Sequence, residues 1–557
     1  MQFSIGVSAL QASQRAMDVI GNNIANANTP GYHRQVVQLG TVTPLQLGKL
    51  SIGRGVSVTG IQRSVDENVE AAQIRQAGAT GASESQLSVA TQLESQISND
   101  VASPGAQLET LFNQLEQLTS QLNSSPARQQ AVASADQLAQ QFNSSDNDLT
   151  HLQNDVDHSI NAVVAEINPL TNQIAQLNTE IARQSSLGGA PNDLLDQRAQ
   201  AIQQLSQKIG VDVLPGNQGQ VTLLSGGAPL VVSGRAMTLQ VVHDTGNRVS
   251  IRPVNSSTDL AINGGQLGGY LVARNEDIPK YQQRLDDLSR SVASAFNSVQ
   301  TTGVGVAGAF TTLTSQQAVR DVTQKLNATG LPVPPSTGSL TVGLTNIATG
   351  ERTLTTINID PTQQSLTDVG NALGTIPNLQ TFVNSQAGTV SLMSSPGFTF
   401  DFRGNGTAPP DSSDLLSSLG INSLFTGGNA ATMKVSGDLL QNADRLATSS
   451  SGQPGDTTNL QRLVALRDAP LMPNNETLSG NSLQTIANIG ADVRGLTENH
   501  DTNQLLSDRL AQQSQSVAGV DTNEELVNLL KYQRTFQIAS KYISALNDAY
   551  NELLSIR

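Results

Sequence analysis

The stretch LLKYQRTFQIASKYISALNDAYNELL, residues 529–554, decides how this chain is read. Its apolar positions Leu529, Tyr532, Phe536, Ala539, Ile543, Leu546, Tyr550 and Leu553 are separated by steps of 3, 4, 3, 4, 3, 4 and 3. On a helix that spacing draws one continuous seam, the pattern by which coiled-coil helices meet. The opposite end repeats it. Phe3, Leu10, Met17 and Ile24 fall seven apart, with Val7 and Ile20 beside them. These residues of the two ends form the expected assembly interface. Coiled-coil ends flanking globular material predict a subunit that assembles through its termini.

Composition narrows the rest. A chain of 557 residues exceeds what one hydrophobic core sustains, so several domains are expected. The formal charge of -15 argues against nucleic acid, which demands a basic footprint. Only 3% of residues are aromatic and none is Trp, which suits long thin helices and small β-domains better than a thick enzyme core. With no cysteine there are no disulfides and no thiolate metal sites. No run of about 20 apolar residues is present to span a membrane. The first residues lack a basic segment followed by an apolar one, so no cleaved signal peptide is expected. That alone predicts a cytoplasmic protein, unless export uses an uncleaved, unfolded N-terminus.

The order of patterns predicts an α+β multidomain fold: paired N- and C-terminal coiled-coil helices, a long helical-bundle domain and inserted β-rich domains. Residues 1–60 and 516–557 form the terminal coiled-coil domain in this reading. Residues 61–210, 265–302 and 431–515 make the helical domain, 211–264 a β-rich segment and 303–430 an inserted β-rich outer domain. The first helix stops at Thr29-Pro30-Gly31-Tyr32, where Pro fixes φ and Gly supplies a positive φ for a type II turn. Leu108, Leu111, Leu115, Leu118 and Leu122 then step as a helix seam, and Leu149 to Ile181 continue the rhythm. Pro169 inside that run predicts a kink or break. Gly210 is expected to close the following helix as a C′ glycine. In 303–430, Phe398-Thr399-Phe400-Asp401-Phe402 alternates as a half-buried strand should. The final helix opens on Thr522-Asn523-Glu524-Glu525, a capping-box pattern.

No motif points to chemistry. His151 and His158 are seven apart on one helix, about 10 Å by helical rise, too far to grip one ion alone. Gly303-Val304-Gly305-Val306-Ala307-Gly308 has dinucleotide-loop spacing but follows a helix and leads to β-like sequence, the reverse of what a phosphate cradle needs. Asp146, Asp148, Asp155 and Asp157 lack the EF-hand glycine and read as a solvated acidic face. No nucleophile, base and oxyanion site come together, so neither catalysis, a metal nor a cofactor is expected.

Ala25-Asn26-Ala27-Asn28-Thr29-Pro30-Gly31-Tyr32 resembles the Ala-Asn-x-x-Thr-Pro-Gly-Tyr signature of bacterial flagellar rod, hook and hook-associated axial proteins. The family-motif positions are Ala25, Asn26, Thr29, Pro30, Gly31 and Tyr32. Three further segments look like the hook-associated protein 1 family: Pro191–Arg198, Gly268–Leu271, and the tail from Ser516-Val517-Ala518-Gly519-Val520 to Arg557. The resemblance fades across 303–430. It implies a non-catalytic structural subunit of the flagellum, in the junction ring between hook and filament, needed for filament assembly. It implies copies of itself, the hook protein and the second junction protein as partners. It further implies an export chaperone on the C-terminal helix and secretion through the flagellar type III apparatus without signal cleavage. No nucleic acid and no membrane insertion enter that picture. Two other axial roles (hook and distal rod), an enzyme or adhesin carried by 303–430, and a cytoplasmic coiled-coil scaffold are the competing readings.

Overall fold

The computed structural model describes every residue except 1, 48, 49, 98–102, 405, 407, 408, 556 and 557. The last two close the tail matched above and lie outside the described residues. Helix α1 (Gln2–Ala25) leads into strands β1 (Gln35–Thr41), β2 (Leu45–Leu47), β3 (Leu50–Ile52) and β4 (Val56–Arg63). Four helices follow: α2 (Glu67–Ile97), α3 (Pro104–Ser120), α4 (Ser125–Ser186) and α5 (Asn192–Lys208). Strands β5 (Asp212–Pro215), β6 (Val221–Ser225), β7 (Ala228–Val232), β8 (Arg235–Ala236), β9 (Leu239–His243) and β10 (Val249–Pro253) precede α6 (Gly265–Val272) and α7 (Ile278–Gln300). The next stretch holds β11 (Thr312–Thr314), β12 (Gly338–Asn346), β13 (Arg352–Ile359), α8 (Leu366–Gly374), β14 (Leu379–Asn384), β15 (Thr389–Ser394) and β16 (Phe398–Asp401). Short elements α9 (Leu415–Leu419), β17 (Phe425–Thr426), β18 (Lys434–Val435), α10 (Gly437–Gln441) and α11 (Thr458–Ala465) lead to the two long closing helices, α12 (Leu478–Ala518) and α13 (Thr522–Ser555). The fold is α+β and multidomain, with long terminal helices, a helical bundle and several small sheets.

The chain forms two compact units. One comprises Met1–Val89, Asp155–Asn275 and Arg494–Arg557; the other comprises Ala90–Asn154 and Glu276–Val493.

In the second unit the α3 seam is buried as its spacing requires: Leu108, Leu111, Leu115 and Leu118 pack with Leu138 and Phe142 of α4 and Phe296 of α7. Phe112 stacks on Phe296 at 5.5 Å, and Phe425 meets Phe296 edge-on at 5.8 Å. A separate core fills the β-rich stretch, where sheets β11-β15-β14 and β13-β12-β16 close over Leu340, Val342, Leu392 and Phe400. Asp401, at the end of β16, is buried between Arg352 and Arg403, each 2.6 Å from it. Burial works against its charge, but the hydrogen bonds from the two guanidiniums prevail and hold its pKa below the ordinary carboxylate value.

In the first unit, β1 and β4 pair antiparallel with a register shift at Gln38/Leu39. A four-stranded antiparallel sheet runs in the order β5-β6-β7-β8. Three segments cross where only glycine fits. A Cβ on Gly81 of α2 would fall onto the Gln207 carbonyl oxygen, and one on Gly269 of α6 onto the Ala82 carbonyl oxygen. One on Gly210 would lie 3.0 Å from the Gly264 Cα. Backbone thus rests on backbone at this crossing.

Three local expectations change, at Pro169, Gly210 and Asp157. Helix α4 runs unbroken through Pro169 for 62 residues; tertiary packing of its apolar stripe outweighs one missing N–H. Gly210 is absent from the positive-φ glycines, so close packing rather than a left-handed cap requires it. Gly305 is pressed against the Asp444 and Leu446 carbonyls, which leaves no room for a phosphate. Asp157 is not a solvated face residue: it takes the buried Arg274 at 2.8 Å.

Candidate assembly site at the joined chain ends

Helices α1 and α13 lie against one another and run antiparallel. Gly6 near one end of α1 faces Ile543, whose Cγ1 would stand 2.6 Å from an added Cβ. Asn23, near the other end, donates to Glu525 Oε2 at 3.2 Å. Between those two contacts a heptad track runs through Gly6, Ala9, Ser13, Ala16, Ile20 and Asn23; all but Ala9 are buried and Ala9 is half-buried. Small residues on α1 let the bulkier seam of α13 come close. Within that seam Ala539 is buried, while Leu529, Tyr532, Phe536, Ile543 and Leu546 are half-buried. Tyr550 and Leu553, the last two, are exposed, Leu553 by 70%.

On α1, Ile20 is buried; Leu10, Met17 and Ile24 are half-buried; Phe3 and Val7 are exposed. The track through Phe3, Leu10, Met17 and Ile24 sits one residue beyond the half-buried Ala9 and the buried Ala16 and Asn23. One residue turns a helix by about 100°, so those side chains flank the contact rather than fill it.

The motif supplies the turn that follows α1. Tyr32 N–H donates to the Thr29 carbonyl at 3.2 Å and Gly31 has φ 78°, the type II geometry that Pro30-Gly31 favours. Asn26 Nδ2 reaches back to Asn22, and Thr29 Oγ1 donates to Asn26 Oδ1 at 3.2 Å, holding the loop shut. Ala25 ends the helix and is exposed.

That turn aims three side chains into a polar knot. Asn23, 1% exposed, uses all four of its hydrogen-bonding positions. Its Oδ1 accepts from Tyr32 Oη at 2.8 Å and from Gln35 N–H at 2.9 Å; its Nδ2 donates to the Gln35 carbonyl at 2.9 Å and to Glu525. Arg34 donates from Nε to Glu525 Oε1 at 2.7 Å and from Nη2 to Glu524 Oε1 at 2.8 Å. Burial disfavours the Arg34 charge, but those carboxylates raise its pKa. The Arg34 N–H donates to the Ala518 carbonyl at 2.9 Å, tying the turn to the end of α12. His33 joins α5: its Nδ1 lies 2.8 Å from Asp196 Oδ1, which also takes Arg63 Nη1 at 3.1 Å. Tyr32 is pushed up to about 12, first by burial and then by Asp193, Asp196 and Glu525, so its hydroxyl stays a donor at neutral pH.

Asn23, Arg34, Gln35, Arg63 and Asp196 carry no sequence signal for this role, because their partners lie far along the chain. Glu524 and Glu525 do carry one, but their spacing predicts a capping box rather than this knot. The cap of α13 is Asp521, whose Oδ1 accepts from Asn523 N–H at 2.8 Å; Glu525 turns inward to the knot instead of back to the cap. The site is a mechanical joint. Among the described residues no three metal-ligating side chains cluster, and no helix is long and apolar enough to cross a membrane.

Residues 3–33 match the flagella basal body rod protein model, and residues 511–556 match the C-terminal model of the flagellar basal body rod FlgEFG proteins. The joined ends are therefore similar to those of flagellar axial proteins. Residues 90–313 match the helical domain of flagellar hook-associated protein FlgK. Flagellar hook-associated protein 1 of Escherichia coli (strain K12) is 26% identical over 99% of this chain and 98% of its own length. The protein of that name from Salmonella typhimurium is 26% identical over 99% of both chains, and that from Bacillus subtilis 27% over 54% of this chain and 67% of its own. The chain is thus similar to flagellar hook-associated protein 1 along nearly its whole length. The flagellar hook junction protein FlgK of Burkholderia pseudomallei shares its fold, with a TM-score of 0.51 and 20% identity, covering 81% of this chain and all of that one.

Proposed function

We propose that this chain is a non-catalytic structural subunit of the junction between flagellar hook and filament, and that it polymerises with copies of itself through α1 and α13. One observation carries the reading. Helix α13 turns one apolar seam toward α1 and leaves further apolar side chains outside, Leu526, Val527, Leu530 and Ile538, with Ile538 68% exposed. Such side chains on a terminal helix are what a neighbouring subunit covers in an assembly. The hook protein on one side and the second junction protein on the other are the further partners. Before assembly the same side chains suit an export chaperone, and the absence of cysteine suits passage through the type III apparatus as an unfolded chain. The β-rich stretch 303–430, with its own core, serves as an outer domain.

Deletion of the gene, followed by electron microscopy of cells and a flagellin assay of the medium, tests this. The expected result is intact hooks without filaments and flagellin lost to the medium. Missing hooks would move the subunit to rod or hook, and normal filaments would overturn the reading.

A further inference from the structure

The first unit carries a groove that the joined ends do not use. It has a volume of about 720 Å³ and lies between α2 and β5. Val65, Ile74, Leu195, Val213 and Leu214 give it apolar walls. Among the described residues strand β5 pairs with β6 alone, so it is an edge of its sheet, and its residues line the groove.

Arg198 of α5 also lines the groove and is only 7% exposed. Its Nη1 donates to Asn178 Oδ1 at 3.0 Å and to the Gly219 carbonyl at 2.6 Å. Those oxygens satisfy two hydrogens but do not neutralise the charge. The neighbouring carboxylates are engaged elsewhere: Glu70 with Arg63 at 3.5 Å, and Asp196 with Arg63 and His33. Among the described residues neither forms an ion pair with Arg198. The remaining charged groups of the lining, Glu67, Arg75 and Asp212, are exposed. A buried guanidinium without a carboxylate is costly, and its pKa falls to about 10, first through burial and then through Arg63, with Glu70 opposing. Its two bonds tie α5 to α4 and to the Gly219 loop but leave the charge without a carboxylate beside the groove.

We propose that this groove docks an extended, acid-bearing peptide segment of another protein, its apolar side chains against the groove walls and one Asp or Glu carboxylate on Arg198. The bidentate face of a guanidinium selects a carboxylate over an amide of the same shape. An open strand edge beside apolar pockets is how extended peptides are gripped. The inference goes beyond the junction role and uses none of the terminal-helix residues.

Saturation-transfer NMR on the full chain, with acetyl-Leu-Asp-Val-amide and its Asn counterpart as probes, tests it. The Asp peptide is expected to bind about tenfold tighter or better, the scale of one charge-assisted pair. Arg198→Gln should erase that preference. Leu214→Asp, at an exposed strand position that makes no bond to Arg198, should weaken the Asp peptide by about tenfold while leaving the melting curve in place. Equal binding of the two peptides, or a preference that survives Arg198→Gln, would overturn the proposal. Should Arg198→Gln fail to fold, undiminished binding to Leu214→Asp is the overturning result. Concentration-dependent self-association that Leu214→Asp abolishes would assign the groove to a second copy and likewise sink the peptide reading.

Discussion

Replacing Asn23 by alanine is the sharpest challenge to the joint between the chain ends. The side chain makes four hydrogen bonds, to Tyr32, twice to the Gln35 backbone, and to Glu525. At ~1 kcal/mol net each, their loss amounts to about 4 kcal/mol. Water reaching the half-buried Tyr32 recovers part of that, so the expected loosening is about 3–4 kcal/mol. The effect is local, because the bonds hold α1 and its turn rather than either hydrophobic core. Native-state hydrogen exchange reads it directly. Amide protection in α1 should drop by about two to three powers of ten, one for every ~1.4 kcal/mol, while α3 and α7 keep theirs. Asn22→Ala is the control: it is exposed and, among the described residues, its side chain bonds only to Asn26. Asn23→Asp keeps one acceptor but sets a carboxylate against Glu525, and should be no milder than the alanine. Protection in α1 falling by less than tenfold would refute the claim that this knot holds the ends together.

Phe536→Asp or Leu546→Asp should block incorporation into filaments, scored by complementation of the deletion and electron microscopy, with an unchanged melting transition for the central cores. Gly81→Ala should lower the melting temperature, since its Cβ meets the Gln207 carbonyl and overpacking of this kind costs ~1–3 kcal/mol. Gly21→Ala, with nothing within 4 Å of the new Cβ, should be neutral or stabilising by up to ~1 kcal/mol in the same calorimetric scan. Asp401→Asn should destabilise the β-rich stretch by ~3–5 kcal/mol at neutral pH, because two guanidiniums lose their buried partner. The Asp401 pKa is lowered in the folded state, so its contribution is full above the ordinary aspartate value of ~3.9 and vanishes as pH falls through the folded value. The gap between wild type and Asp401→Asn in limited proteolysis should therefore be constant from pH 7 to about 5 and close in stronger acid.

The sequence pattern reached the architecture because bulk side chains at regular spacing leave a mark. The α13 seam from Leu529 to Leu546 turns toward α1, and Leu108 to Leu118 line the bundle core. The motif turn was readable as well, since Pro30-Gly31 has few conformations to choose among. The contact face of α1 was hidden for a physical reason. Gly6, Ser13 and Ala16 matter through the volume they lack, and a search for apolar residues passes over them in favour of Phe3, Leu10 and Met17 beside them. The polar knot was hidden because hydrogen-bond partners 502 positions apart share no local pattern. Pro169 does not break the helix, because a breaker's penalty of a few kcal/mol is small beside the buried stripe of a 62-residue helix. Arg198 stood inside a segment used only to recognise the family, and nothing in its neighbours signals that its charge is unmet.

The unequal division of bulk between α1 and α13 bears on the minutes in which the protein is made. Glu525 emerges 502 residues after Asn23, which at ~5–20 residues per second is a wait of about 25–100 s. Throughout that interval α1 stands without its counterpart. The helix that waits is the one whose contact track is mostly glycine, alanine and serine, and so attracts little from its surroundings. The helix with the bulky, adhesive seam leaves the ribosome last, when its counterpart has long been available. Exchanging the two faces, small residues late and large ones early, would keep the joint and lengthen the time a nascent chain spends exposing it.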